Sequence, residues 1–562
     1  MGFIGRSLLL LLALYGLVFA IGDVYLLHGG APFWVGIAFA VGIVGLQYLL
    51  SPWFIEWCFD ITWYEDDVPA RLRLYIEQMC KQRGLPMPKV GIIESGTPNA
   101  FAFGRLRRDA RLVVTRGLLD LLTEEEAEAV VAHEVGHIAH YDFAVMAVAA
   151  MAPLLLYQLY VWTRGNNNTR IVSYAAYISY LAGQFMVLAL NRQREYGADH
   201  FSACEGHAPN ALSSALVKIA YGMVKQNGEM ARLAKQGSKD EKKDARKASQ
   251  LGRALGLMGI MGATNANAIA LGESSPEEAA RVMRWDLVNP WARFYELSST
   301  HPLTAMRLRA LNREAQAQGQ NVMYALPLDA RMRWAGFPLE FGIWAAPLVC
   351  GFLLFSFFWI GRPLGRLGFH FPPHLAPVLF VVMGVTWMVR IAYRYHGEFK
   401  PKQVEELLED MAVSQMRTRA VELQGEIVGN GVPGAFWSPD LVIRDKTGLM
   451  FVLYRSSIPF GRLWFAISNV DRYIGEQVTI RGWYRRGLRP YVELSCIEAQ
   501  VTTAKMTDGP ISLFGNKDNP TPLEQVKLVS RSYSRWIQMA GSALATAIGV
   551  IWLLGDVLAL AR

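Results

Sequence analysis

Seven apolar stretches of membrane-spanning length constrain this chain more than any other feature of it. A helix needs about 20 predominantly apolar residues to cross a bilayer. Runs that meet this length with few or no charges lie near 7–27, 33–52, 143–162, 172–190, 339–360, 374–393 and 536–560. Hydrocarbon cannot satisfy exposed backbone groups, so each run is expected to be a helix. The chain of 562 residues is 52% hydrophobic and only 19% charged, with a mean hydropathy of +0.18, which argues for a polytopic membrane protein. Arg6 before a leucine-rich stretch ending at Val18-Phe19-Ala20 has the form of a signal sequence. Apolar character continues to Leu27, however, so this stretch is read as an uncleaved anchor.

The runs divide the chain. Residues 1–52 hold two transmembrane helices, and 53–338 form a globular portion interrupted by the spans 143–162 and 172–190. Two more spans occupy 339–393, a separate unit fills 394–535, and 536–562 carry the last span. Lys and Arg are abundant in 53–142 and 191–338, absent from 28–32, and limited to Arg164 and Arg170 in 163–171. Cytoplasmic loops carry such an excess, so both basic portions and 394–535 are expected on the cytoplasmic face of an inner or plasma membrane. The same rule accounts for the formal net charge of +8 without nucleic acid as a partner. Cys58, Cys80, Cys204, Cys350 and Cys496 are scattered with no CxxC, which suggests neither a disulfide framework nor a thiolate metal site.

Within 66–142 the pattern predicts a helix near 68–83, a strand at 89–94, a hairpin of 99–104 and 111–115, and a further helix. That last helix opens on Thr123, followed three residues later by Glu126, the signature of a capping box. It contains "VAHEVGHIAH", residues 131–140. His133 and His137, four apart, project from one face and can converge on one ion, with Glu134 one step round to hold its water. This is the spacing of a tetrahedral zinc site with an open position. In "NRQREYGADHFSA", Glu195 is the candidate third ligand, and Asp199, one turn further on, is suited to orient a ligating histidine. His140 is an alternative third ligand, whereas His200 points away from the face of Glu195. Alone, the stretch reads as a solvated helix of alternating charge. The hairpin of the third and fourth spans favours Glu195, because it returns the chain to the membrane face that HEVGH leaves. In "NAFAFG", 99–104, Phe101 and Phe103 alternate with Ala100 and Ala102. One face can pack inward while the backbone edge pairs with an extended peptide that Asn99 anchors; a plain edge strand with two core phenylalanines fits the same residues.

HEVGH, Glu195 and Asp199 in their "REYGAD" setting, "NAFAFG", and "HPLTAMRL" at 301–308 together resemble the HtpX-like membrane zinc metallopeptidases, relatives of the CaaX prenyl proteases, over about residues 1–315. Asn191 departs from the serine frequent there. The resemblance implies a gluzincin-type α+β domain that binds one Zn2+ per chain through His133, His137 and Glu195, with Asp199 behind the ligands. It implies Glu134 as general base and His301 as donor to the oxyanion, with Asn99, Ala100, Phe101 and Arg307 toward the peptide. The activity implied is hydrolysis of membrane-associated or misfolded proteins at the cytoplasmic face, as protein quality control. A CaaX-type prenyl protease and a catalytically inactive zinc-binding scaffold are the alternatives. A closed structural zinc site has no use for a free carboxylate such as Glu134, which argues against the scaffold. Glu124, Glu125, Glu126 and Glu128 just before the motif argue against its lying inside a bilayer.

Past the resemblance, "VELQGEIV", "DLVIRD", "LMFVLYR", "QVTIRGWYRRG" and "YVELSCIEA" are short strands between turn residues, the pattern of a small OB-like β-barrel. Trp483, Tyr484, Arg485, Arg486 and Arg489 have the composition of a surface for nucleic-acid phosphates or lipid headgroups. They are read here as a solvated basic hairpin near an anionic membrane. The barrel remains a candidate for recognition of substrates or partner proteins. The insert "KQGSKDEKKDARK" at 235–247 reads as a solvated loop.

Overall fold

A computed structural model describes residues 33–63, 68–165, 169–205, 209–220, 276–359, 375–430, 440–468, 470–487, 490–502 and 525–560. The apolar stretch at 7–27, the insert at 235–247 and Arg489 lie outside the described residues. Two compact units emerge, one of Met1–Leu287 with Arg293–Ala330 and one of Val288–Ala292 with Arg331–Arg562. Among the described residues, six helices are long and apolar enough to cross a membrane, three in each unit.

In the first unit, span α1 (Phe33–Cys58) leads to helix α2 (Ala70–Arg83) and strands β1 (Lys89–Ile93), β2 (Ala100–Phe103) and β3 (Arg111–Thr115). The sheet order is β1-β3-β2. β1 pairs β3 in parallel, and β2 pairs β3 antiparallel with Phe101 opposite Val113. Side chains alternate across it as the pleat requires. Ile92, Ala100, Leu112 and Val114 join Leu72, Ile76 and Met79 in one core, while Ile93, Phe101, Phe103 and Val113 pack with Phe59 in another. The expected inward face of the hairpin is present, and the end of α1 covers it. Glu56 of α1 also lies 2.6 Å from Arg111.

Helix α3 (Glu124–Ala139) opens with the capping box that Thr123 and Glu126 predict, both reciprocal hydrogen bonds being formed. Spans α4 (Asp142–Thr163) and α5 (Arg170–Cys204) follow as a hairpin, and helix α6 (Thr304–Ala317) comes later. The apolar run expected at 172–190 and the charged helical stretch after it are one uninterrupted helix, α5, of 35 residues. At 1.5 Å per residue it is roughly 50 Å long, against about 30 Å of hydrocarbon. Its last turns therefore stand clear of the apolar layer, and they carry Glu195 and Asp199.

The second unit holds spans α7 (Phe337–Trp359), α8 (Leu375–Arg394) and α10 (Ser534–Leu560). Between α8 and α10 lie β4 (Arg419–Asn430), β5 (Leu441–Arg444), β6 (Leu449–Leu453), helix α9 (Gly461–Ser468), β7 (Gln477–Arg486), β8 (Pro490–Thr502) and β9 (Gln525–Arg531). Five strands close on themselves in the order β4-β5-β6-β8-β7-β4. Only β6 and β8 pair in parallel within this ring. The pattern read as a small barrel is a barrel.

The solvated basic hairpin is overturned. Trp483, Tyr484, Arg485 and Arg486 are all buried. Arg485 lies 2.9 Å from Glu493 and over the ring of Tyr395, whose hydroxyl donates to Glu493. Arg486 donates to the carbonyl of Leu408. Buried guanidinium groups persist where carboxylates and carbonyls engage them, so these arginines belong to the barrel's interior and not to a basic surface.

Candidate metal centre and active site

Helix α3 is buried along nearly its whole length, and its HEVGH residues face the last turns of α5. The glycine of the motif sets the approach. A Cβ on Gly136 would come within 3.2 Å of the Ala198 Cα and 3.1 Å of the Phe201 Cβ, so a side chain there would make α5 give way from its present approach. Close packing brings Glu195 over both histidines. Its Oε2 lies 3.8 Å from His133 Nε2 and its Oε1 3.7 Å from His137 Nε2.

Each imidazole is held from behind at its other nitrogen. His133 Nδ1 lies 3.0 Å from Asp199 Oδ1, and His137 Nδ1 lies 2.6 Å from Asp142 Oδ2. Both Nε2 atoms are thereby turned toward Glu195. Asp199 in turn receives both Nε and one terminal nitrogen of Arg307, at 2.9 and 2.6 Å. Asp142 went unnoticed in the sequence. Its acid side chain five residues beyond His137, on the first turn of the next helix, was the available signal.

The residues present fit a metal ion. Among the described residues, His133, His137 and Glu195 form the group whose ligand atoms all lie within 4.8 Å of one another. A four-coordinate zinc with bonds of about 2.0–2.2 Å separates its ligand atoms by roughly 3.3–3.6 Å, close to the spacing seen. His133 Nε2 is buried without a hydrogen-bond partner, an arrangement that is costly unless something binds there. Burial pushes the His133 ring down to about 4, against the pull of Asp199, which keeps it in the neutral form that ligates. Burial opposes the charge on His137 as well, but its bond to Asp142 and the nearby Glu195 and Glu134 outweigh that and raise it.

Glu134 lies between the histidines and the sheet. The Ala102 N–H donates to its Oε2 at 2.9 Å. Ala102 therefore turns its backbone away from β3, toward the free edge of the three-stranded sheet, and Ala100, two residues earlier, shares that direction. Burial, with Glu195 close by, pushes the Glu134 carboxyl up to about 7 although His137 and the Ala102 N–H pull the other way. His301 completes the ring around Glu195, its Nδ1 3.2 Å from Oε2.

Not every expected residue reaches this centre. Asn99 is buried at the start of β2, its backbone held by Thr115. Ala100 is buried with its backbone on the free edge, and Phe101 lies in the core beneath the strand. Arg307 is buried with its guanidinium on Asp199, and lies 3.6 Å from Glu195. His140 is outside the ligand group; its ring packs edge-on to Phe201 at 6.0 Å. His200 is exposed and 3.0 Å from Glu314, on the other side of α5.

The model of Peptidase family M48 matches residues 68–315. The chain is 40% identical over 221 residues to a protease HtpX homolog of Methanothermobacter thermautotrophicus, covering 38% of this chain and 84% of that protein. It is 34% identical over 232 residues to a protease HtpX homolog of Pyrococcus furiosus, covering 38% and 78%. A third, from Aeropyrum pernix, is 30% identical over 305 residues, covering 50% and 88%. Among solved structures, the crystal structure of S. mikatae Ste24p aligns at 17% identity and a TM-score of 0.34, over 55% of this chain and 65% of that one. The family match ends before α7, so the barrel and the last three spans lie beyond it. Since the matched region holds the HEVGH helix, Glu195 and His301, and the relatives are covered over most of their own length, the chain belongs to the HtpX-like members of peptidase family M48.

Proposed function

We propose that this multi-pass membrane protein is a zinc endopeptidase that hydrolyses membrane-associated or misfolded proteins at the cytoplasmic face of an inner or plasma membrane, in protein quality control. The observation that carries the reading is the convergence of His133, His137 and Glu195 beside Glu134 at the free edge of β2. His133, His137 and Glu195 would hold one zinc ion per chain, which when bound acidifies water and polarises a peptide carbonyl.

A peptide enters as an added strand along the outward backbone groups of Ala100 and the Ala102 carbonyl, the Ala102 N–H being held by Glu134, with Asn99 at the start of that edge. Phe101 acts from beneath, fixing the strand. Glu134 takes the proton of the attacking water and returns it to the departing amine, a double role suited to a carboxyl poised near neutrality. His301 donates to the oxygen that gains charge as the carbonyl becomes tetrahedral. Asp199 orients His133 and Asp142 orients His137. Arg307 acts through Asp199 and not on the peptide, because its guanidinium is already engaged.

The gluzincin-type reading rests on this pairing of HEVGH with a glutamate from a later helix. The OB-like reading of the barrel is supported by its strand order and by the helix between its third and fourth strands, and we assign the barrel to recognition of substrates or partners. Purified protein should contain zinc and cleave casein, and a chelator should remove both together. Cleavage that persists in metal-free protein would overturn the metallopeptidase reading. The cytoplasmic assignment rests on the basic loops. A cysteine at the exposed Lys446 should react with an impermeant thiol reagent only in permeabilised cells, and reaction in intact cells would invert the topology.

A further inference from the structure

The barrel unit carries an apolar surface that its own fold leaves uncovered. Among the described residues from 400 to 530, the exposed large hydrophobic side chains are Ile458, Phe460, Leu463, Trp464 and Val529. All but Val529 fall in one turn and the first half of α9. Phe460 is 82% exposed and Trp464 65% exposed, values that a water-facing loop does not favour. Phe460 also holds a left-handed backbone at φ 61°, which is unfavourable for a bulky residue. The inner face of α9 is firmly seated, since Phe465 and Ala466 are buried and the Phe465 ring stacks on Tyr454 at 3.9 Å. Helix and turn thus project outward as a fixed feature.

What lies beside this surface identifies its occupant. The segment is fastened to the start of span α10: Ser532 donates to the Arg455 carbonyl at 2.6 Å, Ser457 and Ser534 share a hydrogen bond of 2.8 Å, and Gln538 donates to Ser457 at 3.3 Å. The turn therefore sits at the level where α10 leaves water. Tyr533 and Trp536 at that same level are exposed, as interfacial aromatic residues are in membrane proteins. Residues 455–468 contain no acidic residue; their two arginines are engaged within the unit, Arg455 3.6 Å from Glu493 and Arg462 3.7 Å from Asp440, and Arg535 at the head of α10 lies over the ring of Trp536. Exposed apolar tips without an acidic neighbour in the segment, flanked by aromatics where a span begins, are the composition of a segment lying in the interfacial layer.

We propose that residues 458–464 insert into the interfacial layer of the same bilayer that α10 spans, with Phe460 and Trp464 at the acyl boundary. The barrel is then held to the membrane at a third place besides α8 and α10, and the side of its wall between β6 and β7 faces lipid.

The test uses the full chain in lipid nanodiscs containing phosphatidylglycerol, with a nitroxide attached through a genetically introduced keto-phenylalanine at position 460, 464 or 446, so that the native cysteines stay in place. Labels at 460 and 464 should be relaxed preferentially by oxygen, which partitions into lipid, and the label at 446 by a water-soluble nickel chelate. Chelate-dominated relaxation at 460 and 464 would overturn the proposal. So would protection of both sites from both reagents, which would mean that protein covers the patch. The nitroxide of a misfolded variant is recognised by its motional spectrum, and Phe460→Asp in otherwise native protein provides the second arm. It should lower the bilayer-dependent protection of peptide 455–468 in hydrogen exchange, and unchanged protection would contradict insertion.

Discussion

Glu134→Gln should cut peptide hydrolysis by about 10²- to 10⁴-fold, the contribution of a positioned general base, while zinc content stays at the level of the native protein. The amide keeps the side chain's size and can still accept the Ala102 N–H, so the strand edge and the ligands are undisturbed. Thermal stability should hold or rise, because a neutral amide avoids the cost of burying a carboxylate that sits close to Glu195. Near-native turnover would remove Glu134 from the chemistry, and loss of zinc would move it into the ligand set. His301→Ala belongs in the same series. It should retain zinc and approximate substrate affinity while kcat drops by about 10²–10³, as for one lost oxyanion donor. Reduced stability with native turnover in the folded fraction would instead assign His301 to packing against Glu195.

Glu195→Ala should abolish zinc binding and proteolysis together. Two imidazoles alone leave a catalytic zinc one protein ligand short, and the ligand removed is the one on which both Nε2 atoms converge. The substitution also strips His301 of its neighbour and removes one of the two carboxylates beside Arg307. His140→Ala is the matched control, since that ring packs against Phe201 outside the ligand group. Its zinc content, read by metal analysis, should not change. If His140→Ala lost the metal and Glu195→Ala kept it, the third ligand would be His140.

Much of this centre is legible in the linear sequence because its parts obey local rules. The Thr123–Glu126 capping box starts α3 where it is written, and a four-residue spacing puts His133 and His137 on one face wherever a helix forms. The alternation in "NAFAFG" dictates which side packs inward. Other features depend on contacts that no local pattern encodes. The continuity of α5 is not legible, because composition changes near Asn191 from apolar to charged; that change marks a change of surroundings, and a helix passes through it without a break. Asp142 reaches His137 only because Tyr141 turns the chain through a left-handed conformation at φ 57°. That turn is steadied by Arg107, which lies 3.7 Å over the tyrosine ring and donates to the Ala139 carbonyl. Arg485 and Arg486 look like surface residues in any count of charge, and the partners that bury them, Tyr395, Leu408 and Glu493, are distant in sequence or on another strand.

The close contact of α3 with α5 at Gly136 has a consequence for when the enzyme can become active. On the proposed reading, His133 and His137 precede the α4–α5 hairpin, whereas Glu195 lies in the last turns of α5, so both spans must be made before the third ligand meets the first two. A nascent chain paused between those spans has made its HEVGH helix but carries an incomplete coordination set. Formation of this hairpin thus precedes completion of the ligand set, and on the proposed function hydrolytic competence waits on it.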